Sequence, residues 1–120
     1  MATRLTIRFD FDGDRRLGPG KIALLEAIAQ TGSISAAGRA HEMSYRRAWL
    51  LVEELNHLFG QPLVTARPGG VKGGGAALTS AGERVVALYR EAEAKMRLSA
   101  AQEIAHLESA LAPHEARPVG

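Results

Sequence analysis

Residues 33–52 read Ser-Ile-Ser-Ala-Ala-Gly-Arg-Ala-His-Glu-Met-Ser-Tyr-Arg-Arg-Ala-Trp-Leu-Leu-Val, and this stretch decides the fold. Its small and apolar residues predict a short helix from Ala36 to about His41, with Ile34, Ala37 and Ala40 inward. Either Ser33 or Ser35 can cap it, because a side-chain oxygen there accepts from a backbone N–H that the helix leaves unpaired. Glu42-Met43 forms a turn. Ser44 then caps a second helix that runs to about Phe59 and stops at Gly60. Ala48, Val52, Leu55 and Phe59 recur every three or four residues and define its buried stripe. A helix that rests an apolar stripe on a core and opens with hydroxyls and guanidinium groups can put its first turn into a DNA major groove. Ser44, Tyr45, Arg46 and Arg47 are the candidates for that contact.

Before this stretch, Leu5, Ile7, Phe9 and Phe11 alternate with polar residues, as in a strand with one buried face. Asp12-Gly13-Asp14 is a turn and Gly18-Pro19-Gly20 a break. Asp10, Asp12 and Asp14 do not make a calcium loop. Arg15 stands where that loop needs glycine, and Lys21 where it needs the bidentate glutamate. Lys21 to Gln30 is predicted to be a helix with Leu24, Leu25, Ile28 and Ala29 on its apolar face, ended by Gly32.

After it, Leu63-Val64-Thr65 and Ala76-Ala77-Leu78 are short strands around a glycine-rich tip, Arg67 to Gly75. A hairpin placed directly after a DNA-reading helix is a wing. Arg67 and Lys72 would reach the sugar–phosphate backbone from it, and Ser33 and Ser35 would hold phosphate beside a helix N-terminus. Ser80 with Glu83 makes a capping-box pattern, so a last helix starts there and runs to about Ala112. Val85, Val86, Tyr89, Ala92, Met96, Ala100, Ile104, Leu107 and Leu111 form its stripe, too long to bury on one small domain. Leu24, Ile28, Val86 and Met96 are candidates for core and dimer contacts. Residues 113–120 read as a disordered tail.

Composition narrows the function further. A chain of 120 residues holds one modest core. It has no cysteine, which excludes disulfides and thiolate metal sites and fits a reducing compartment. No membrane-spanning run or signal peptide is legible, so a cytoplasmic protein is expected. Net charge is +2, and the largest local excess of positive charge lies in residues 33–75. His41-Glu42-Met43-Ser44-Tyr45 has tyrosine where a zinc-protease helix needs its second histidine. Lys72 between Val71 and Gly73 does not complete a Walker loop. His41, His57, His106 and His114 share no metal-ligand spacing, and no nucleophile–base pair is legible. The chain is therefore read as a non-enzyme with no metal and no cofactor of its own. Trp49, one position off the stripe, reads as a brace against the wing or first strand, with DNA contact as the alternative. Tyr45 is open to two uses: contact with a phosphate or thymine methyl, or packing over the preceding helix.

These residues together resemble the N-terminal winged helix-turn-helix domain of ModE-type molybdate-responsive regulators, which are related to LysR-type DNA-binding domains. Gly32-Ser33-Ile34-Ser35, Met43-Ser44-Tyr45-Arg46-Arg47-Ala48-Trp49, Gly69 to Ala76 and Leu78-Thr79-Ser80-Ala81-Gly82-Glu83 carry the likeness, which spans about residues 3–98. The resemblance implies a homodimer held by the first helix, the N-terminal strand and the last helix. It implies a palindromic operator with one winged unit per half-site. Family members usually sense molybdate or tungstate through C-terminal β-barrel domains, and the residues after the last helix here cannot form one. Molybdate is thus expected to act only through a separate sensor domain or an effector-binding partner.

The expected fold is mostly α: a winged helix-turn-helix over residues 1–98, with a short N-terminal strand, a two-stranded wing and a long C-terminal dimerisation helix extended by residues 99–112. The expected function is a sequence-specific, DNA-binding transcriptional regulator acting as a homodimer on double-stranded DNA. The alternative is a winged-helix module whose arginine face binds protein instead.

Overall fold

The computed structural model describes residues 3–67 and 75–113. The wing tip with Lys72 and tail residues 114–120 lie outside the described residues, and so do the expectations made for them. In chain order the elements are β1 (Phe9–Asp10), β2 (Arg16–Leu17), α1 (Pro19–Thr31), α2 (Ile34–Ala40), α3 (Tyr45–Leu58), β3 (Val64–Arg67), β4 (Gly75–Leu78), α4 (Ser80–Ser99) and α5 (Ala101–Ala110). This is the mostly α winged helix-turn-helix expected from the sequence.

The N-terminal alternation holds from Leu5 to Phe9, half-buried residues taking turns with exposed ones. Only Phe9 and Asp10 make a ladder, antiparallel to Leu17 and Arg16 across the Asp12–Asp14 turn. β2 was not legible in advance, because two residues carry no period. Phe11, expected on the buried face, is 41% exposed and meets Phe59 edge-on. Phe9 stacks on Phe11 and meets Tyr89 edge-on, and the Tyr89 hydroxyl donates to the Ile7 carbonyl. An aromatic chain thus fastens the N-terminal segment to α4 and to the end of α3.

α1 opens earlier than its periodicity suggested. Pro19 sits in its first turn, where a missing N–H is no loss and the fixed φ suits a helix. Its last turn closes at Gly32, whose φ of 71° lets its N–H reach the Ile28 carbonyl at 2.8 Å. Ile22, Leu24, Leu25 and Ile28 are fully buried, each contributing about 1.5–3 kcal/mol if counted as complete burial. Ala29 and Ala40, expected inside, face out. Ala27 and Gly38 occupy the inner faces instead. A Cβ on Gly38 would lie 2.9 Å from that of Ala48, so Gly38 is where α2 and α3 cross. On α3 the stripe is Ala48, Val52, Leu55 and Leu58, while Phe59 caps the helix and is 37% exposed.

Two corrections concern the C-terminal half. The cap of α4 is Thr79, whose hydroxyl accepts from the Gly82 N–H and donates to the Pro62 carbonyl, and Ser80 is the first helical residue. The helix expected to reach about Ala112 is divided at Ala100 (φ −101°, ψ 15°) into α4 and α5, with no glycine or proline to announce the break. Arg90 ties α4 to α1 through two bonds to Glu26, at 2.7 and 2.9 Å, and a third to Glu93 at 2.8 Å. No described helix is long and apolar enough to cross a membrane.

Candidate nucleic-acid interface

α2 and α3 meet through a turn whose backbone is set residue by residue. The N–H groups of His41 and Met43 both reach the Gly38 carbonyl, at 3.1 and 3.0 Å. Glu42 between them takes φ 56°, the left-handed region. Ser44 follows in extended conformation, and its Oγ accepts from the Arg47 N–H at 3.1 Å. That bond fixes the first turn of α3 before any partner arrives. With Ala48, Val52 and Leu55 inside, Ser44, Tyr45, Arg46 and Arg47 all face solvent.

No acidic residue stands in that first turn. Among the described residues, Arg46, Arg47, Arg67 and Arg39 of the last turn of α2 form no ion pair, whereas Arg8, Arg15, Arg16, Lys21, Arg90 and Lys95 all do. Glu54, farther along α3, is paired with Lys21 at 3.2 Å. The uncommitted cations thus include those at the turn and the head of α3. Arg39 was not singled out from the sequence. Its place in a helix-turn-helix, in the last helical turn before the loop, was the available signal.

The wing is held to α3 and α1 by polar contacts. Asn56 Oδ1 accepts from Leu63 N and Val64 N, both at 2.9 Å, and its Nδ2 donates to the Val64 carbonyl at 3.3 Å. Thr79 N donates to the Leu63 carbonyl at 2.9 Å. Across the hairpin, Val64 pairs with Leu78 and Arg67 with Gly75, so Arg67 is a strand residue rather than part of the tip. Ala76 N donates to the Gly32 carbonyl at 2.8 Å. A Cβ on Gly32 would lie 2.7 Å from an Arg67 guanidinium nitrogen, and one on Gly75 would lie 2.5 Å from the Gly32 oxygen. The Arg67 side chain therefore lies over the C-terminal end of α1, where a cation is favoured by the helix dipole, and remains exposed.

Ser33 is the cap of α2, its Oγ accepting from Ala36 N at 3.0 Å. Ser35 lies within the helix, half-exposed. Of the two capping options only Ser33 is used, and both residues are partly exposed at the N-terminal end of α2. Trp49 borders a recess between α3 and the wing, lined also by Thr65, Ala66 and Gly75. It is 45% exposed, and Tyr45, 63% exposed, meets it edge-on with ring centroids 6.0 Å apart. The Tyr45 ring thus meets a neighbour on its own helix, one turn on. The groups whose proton affinity is shifted sit elsewhere. Hydrogen bonding to Arg90 holds Glu26 below its ordinary value, and burial pushes the Tyr89 phenol up.

The chain is 53% identical over 79 residues to the molybdenum-pterin-binding protein MopB of Rhodobacter capsulatus, covering 66% of this chain and 29% of that protein. It is 43% identical over 94 residues to the molybdenum transport protein ModE of Azotobacter vinelandii, covering 77% and 35%. It is 44% identical over 71 residues to the DNA-binding transcriptional dual regulator ModE of Escherichia coli K12, covering 59% and 27%. The chain thus spans about a third or less of the length of these relatives. The resemblance to ModE-type proteins read from the Ser44–Trp49 run is borne out, and kinship with regulators stands behind the reading as a non-enzyme. The pattern described as bacterial regulatory helix-turn-helix protein, lysR family, matches residues 20–83, more than half of the sequence, and the chain belongs to that family.

Proposed function

We propose that the chain is the DNA-reading part of a ModE-type transcriptional regulator, binding a palindromic operator as a homodimer with one wing and one α3 per half-site. The observation that carries this reading is the exposed first turn of α3, capped by Ser44, free of carboxylates and bearing Arg46 and Arg47 without ion-pair partners among the described residues. Arginine at the head of such a helix presents a planar fork that fits guanine O6 and N7. Tyr45 and Ser44 complete the groove contacts. Ser33, Ser35, Arg67 and Lys72 are assigned to the phosphates on either side, where they set register without reading sequence.

Exposed Met96 on α4, Leu107 on α5 and Leu111 at the C-terminal cap of α5 support a second copy as the partner of that end. The names of the relatives support a role in molybdenum homeostasis, and a cytoplasmic location goes with the DNA-reading role proposed above. Response to molybdate is assigned to a separate sensor domain or an effector-binding partner.

A salt titration tests the DNA reading. The affinity of the chain for a random duplex should fall linearly with the logarithm of salt concentration, as counterions released by phosphate contacts require. Affinity indifferent to salt would leave the arginine face to a protein partner. Genomic footprinting with and without molybdate then identifies the operator and the effector dependence.

A further inference from the structure

The chain has six aromatic residues, and they divide into two groups. Phe9, Phe11, Phe59 and Tyr89 form the internal chain that fastens the N-terminal segment. Tyr45 and Trp49 form the other group, one helical turn apart on α3, edge to face and largely in solvent. Side chains on a helix lean toward its N-terminus, so the indole of Trp49 covers the turn that carries Tyr45 and Arg46. Its other flank borders the wing residues Thr65 and Ala66. A brace would be buried between the elements it joins, whereas this indole is 45% exposed. The first turn of the helix carries Arg46 and Arg47 and no acidic residue, while Glu53 stands one turn beyond Trp49, so the N-terminal end of the aromatic pair is the one whose charge surroundings suit a polyanion.

Resting on the reading of α3 as the groove-entering helix, we propose that Trp49, with Tyr45, is a thymine reader: the paired rings take up the C5-methyl group of thymine in the major groove beside the bases met by Arg46 and Arg47. The methyl is the one apolar mark on the floor of that groove. An indole has a single N–H donor and no acceptor, so it cannot form the bidentate pairs that read guanine or adenine. What it offers is apolar area, already held in place by Tyr45. The arginines would read guanine and the aromatic pair an adjacent thymine, which gives each half-site a composite signature.

The test starts with duplexes selected by the chain from a random library. Each thymine of the selected half-site is replaced in turn by deoxyuridine, which removes the methyl and nothing else. Binding should weaken about fourfold at one or two positions, the effect of losing one buried carbon each. Trp49→Ala should lower affinity and abolish the difference between thymine and uracil at those positions. The only tryptophan of the chain also reports directly, with no variant. Its quenching by acrylamide should fall when the thymine duplex is bound. Equal binding of thymine and uracil duplexes at every position, a uracil penalty that persists in Trp49→Ala, or an indole equally quenched free and bound would each overturn the proposal. Failure to select any duplex would overturn the DNA reading itself, whereas selection without a methyl effect would overturn the thymine reader alone.

Discussion

Glu42 is the residue at which the helix-turn-helix stores strain. Its φ of 56° places an L-residue in the left-handed region, which costs about 1–2 kcal/mol. Glycine adopts that conformation freely but loses more entropy on folding, which offsets about 0.4–1 kcal/mol. Glu42→Gly should therefore stabilise the chain by about 0.5–1 kcal/mol in urea unfolding. Glu42→Val should destabilise it, because a β-branched residue tolerates positive φ least. Destabilisation by glycine would mean that the carboxylate makes a compensating interaction. Arg46 is the residue on which specificity turns. Arg46→Ala should weaken binding to the selected operator by about 1–3 kcal/mol and relax preference at one base per half-site, while random duplex loses less. Equal losses on both would make Arg46 a phosphate clamp. Ser44, Tyr45, Arg46 and Arg47 were legible because a cap and the turn it opens are local in sequence. Asn56 and Gly38 were not, since what they do depends on partners from other elements: the start of β3 for Asn56, Ala48 of α3 for Gly38.

Two helical glycines show how contact between elements overrides the preference within one. Replacing glycine by alanine in a helix ordinarily gains about 1 kcal/mol. Gly20, in the first turns of α1, has open space where a Cβ would go, so Gly20→Ala should raise stability by about that amount. A Cβ on Gly82 would lie 2.2 Å from the Leu63 carbonyl oxygen. That oxygen cannot retreat, because Asn56 and Thr79 hold the same stretch of backbone. Gly82→Ala should cost about 2 kcal/mol or more in the same unfolding assay despite its better propensity, with overpacking as the cause. A gain at Gly82 would show that α4 is free to shift. The pairing of α1 with α4 gives a pH signature. Glu26 is held below its ordinary value chiefly by its hydrogen bond to Arg90, so its contribution is present above the unfolded carboxylate range and is lost as pH falls through the folded value. Stability should decline below about pH 4.5, and Glu26→Gln should flatten that acid limb. An unaltered limb in the variant would mean that other carboxylates carry it. At this scale the sequence announced every helix of the winged unit but misplaced several ends. Pro19 looked like a break and is a start, Thr79 rather than Ser80 caps α4, and β2 is too short to show a period. The division at Ala100 follows from no local signal, and the apolar stripe runs on across it.

For the molecule as a whole, the unfinished surface is at the C-terminal end. α5 buries none of its residues, and Met96, Leu107 and Leu111 are 41%, 69% and 63% exposed. The core, by contrast, is complete around α1, so these side chains have no place to go within one copy. Covering a leucine yields about 1.5–3 kcal/mol, and a symmetric pair covers the same side chain on both copies. Association through this stripe would also set the distance between two α3 helices, which must match one repeat of the duplex for both to read it. The double change Met96→Glu and Leu107→Glu places like charges on the seam without touching the core. Sedimentation equilibrium should show the unaltered chain as a dimer and the variant as a monomer with unchanged circular dichroism. Affinity for a palindromic duplex should then collapse to that for a single half-site, because the second contact no longer comes at high effective concentration. A variant that remains dimeric and keeps its operator affinity would move the seam to α1 and the N-terminal segment. The exposed leucines of α5 would then need another occupant.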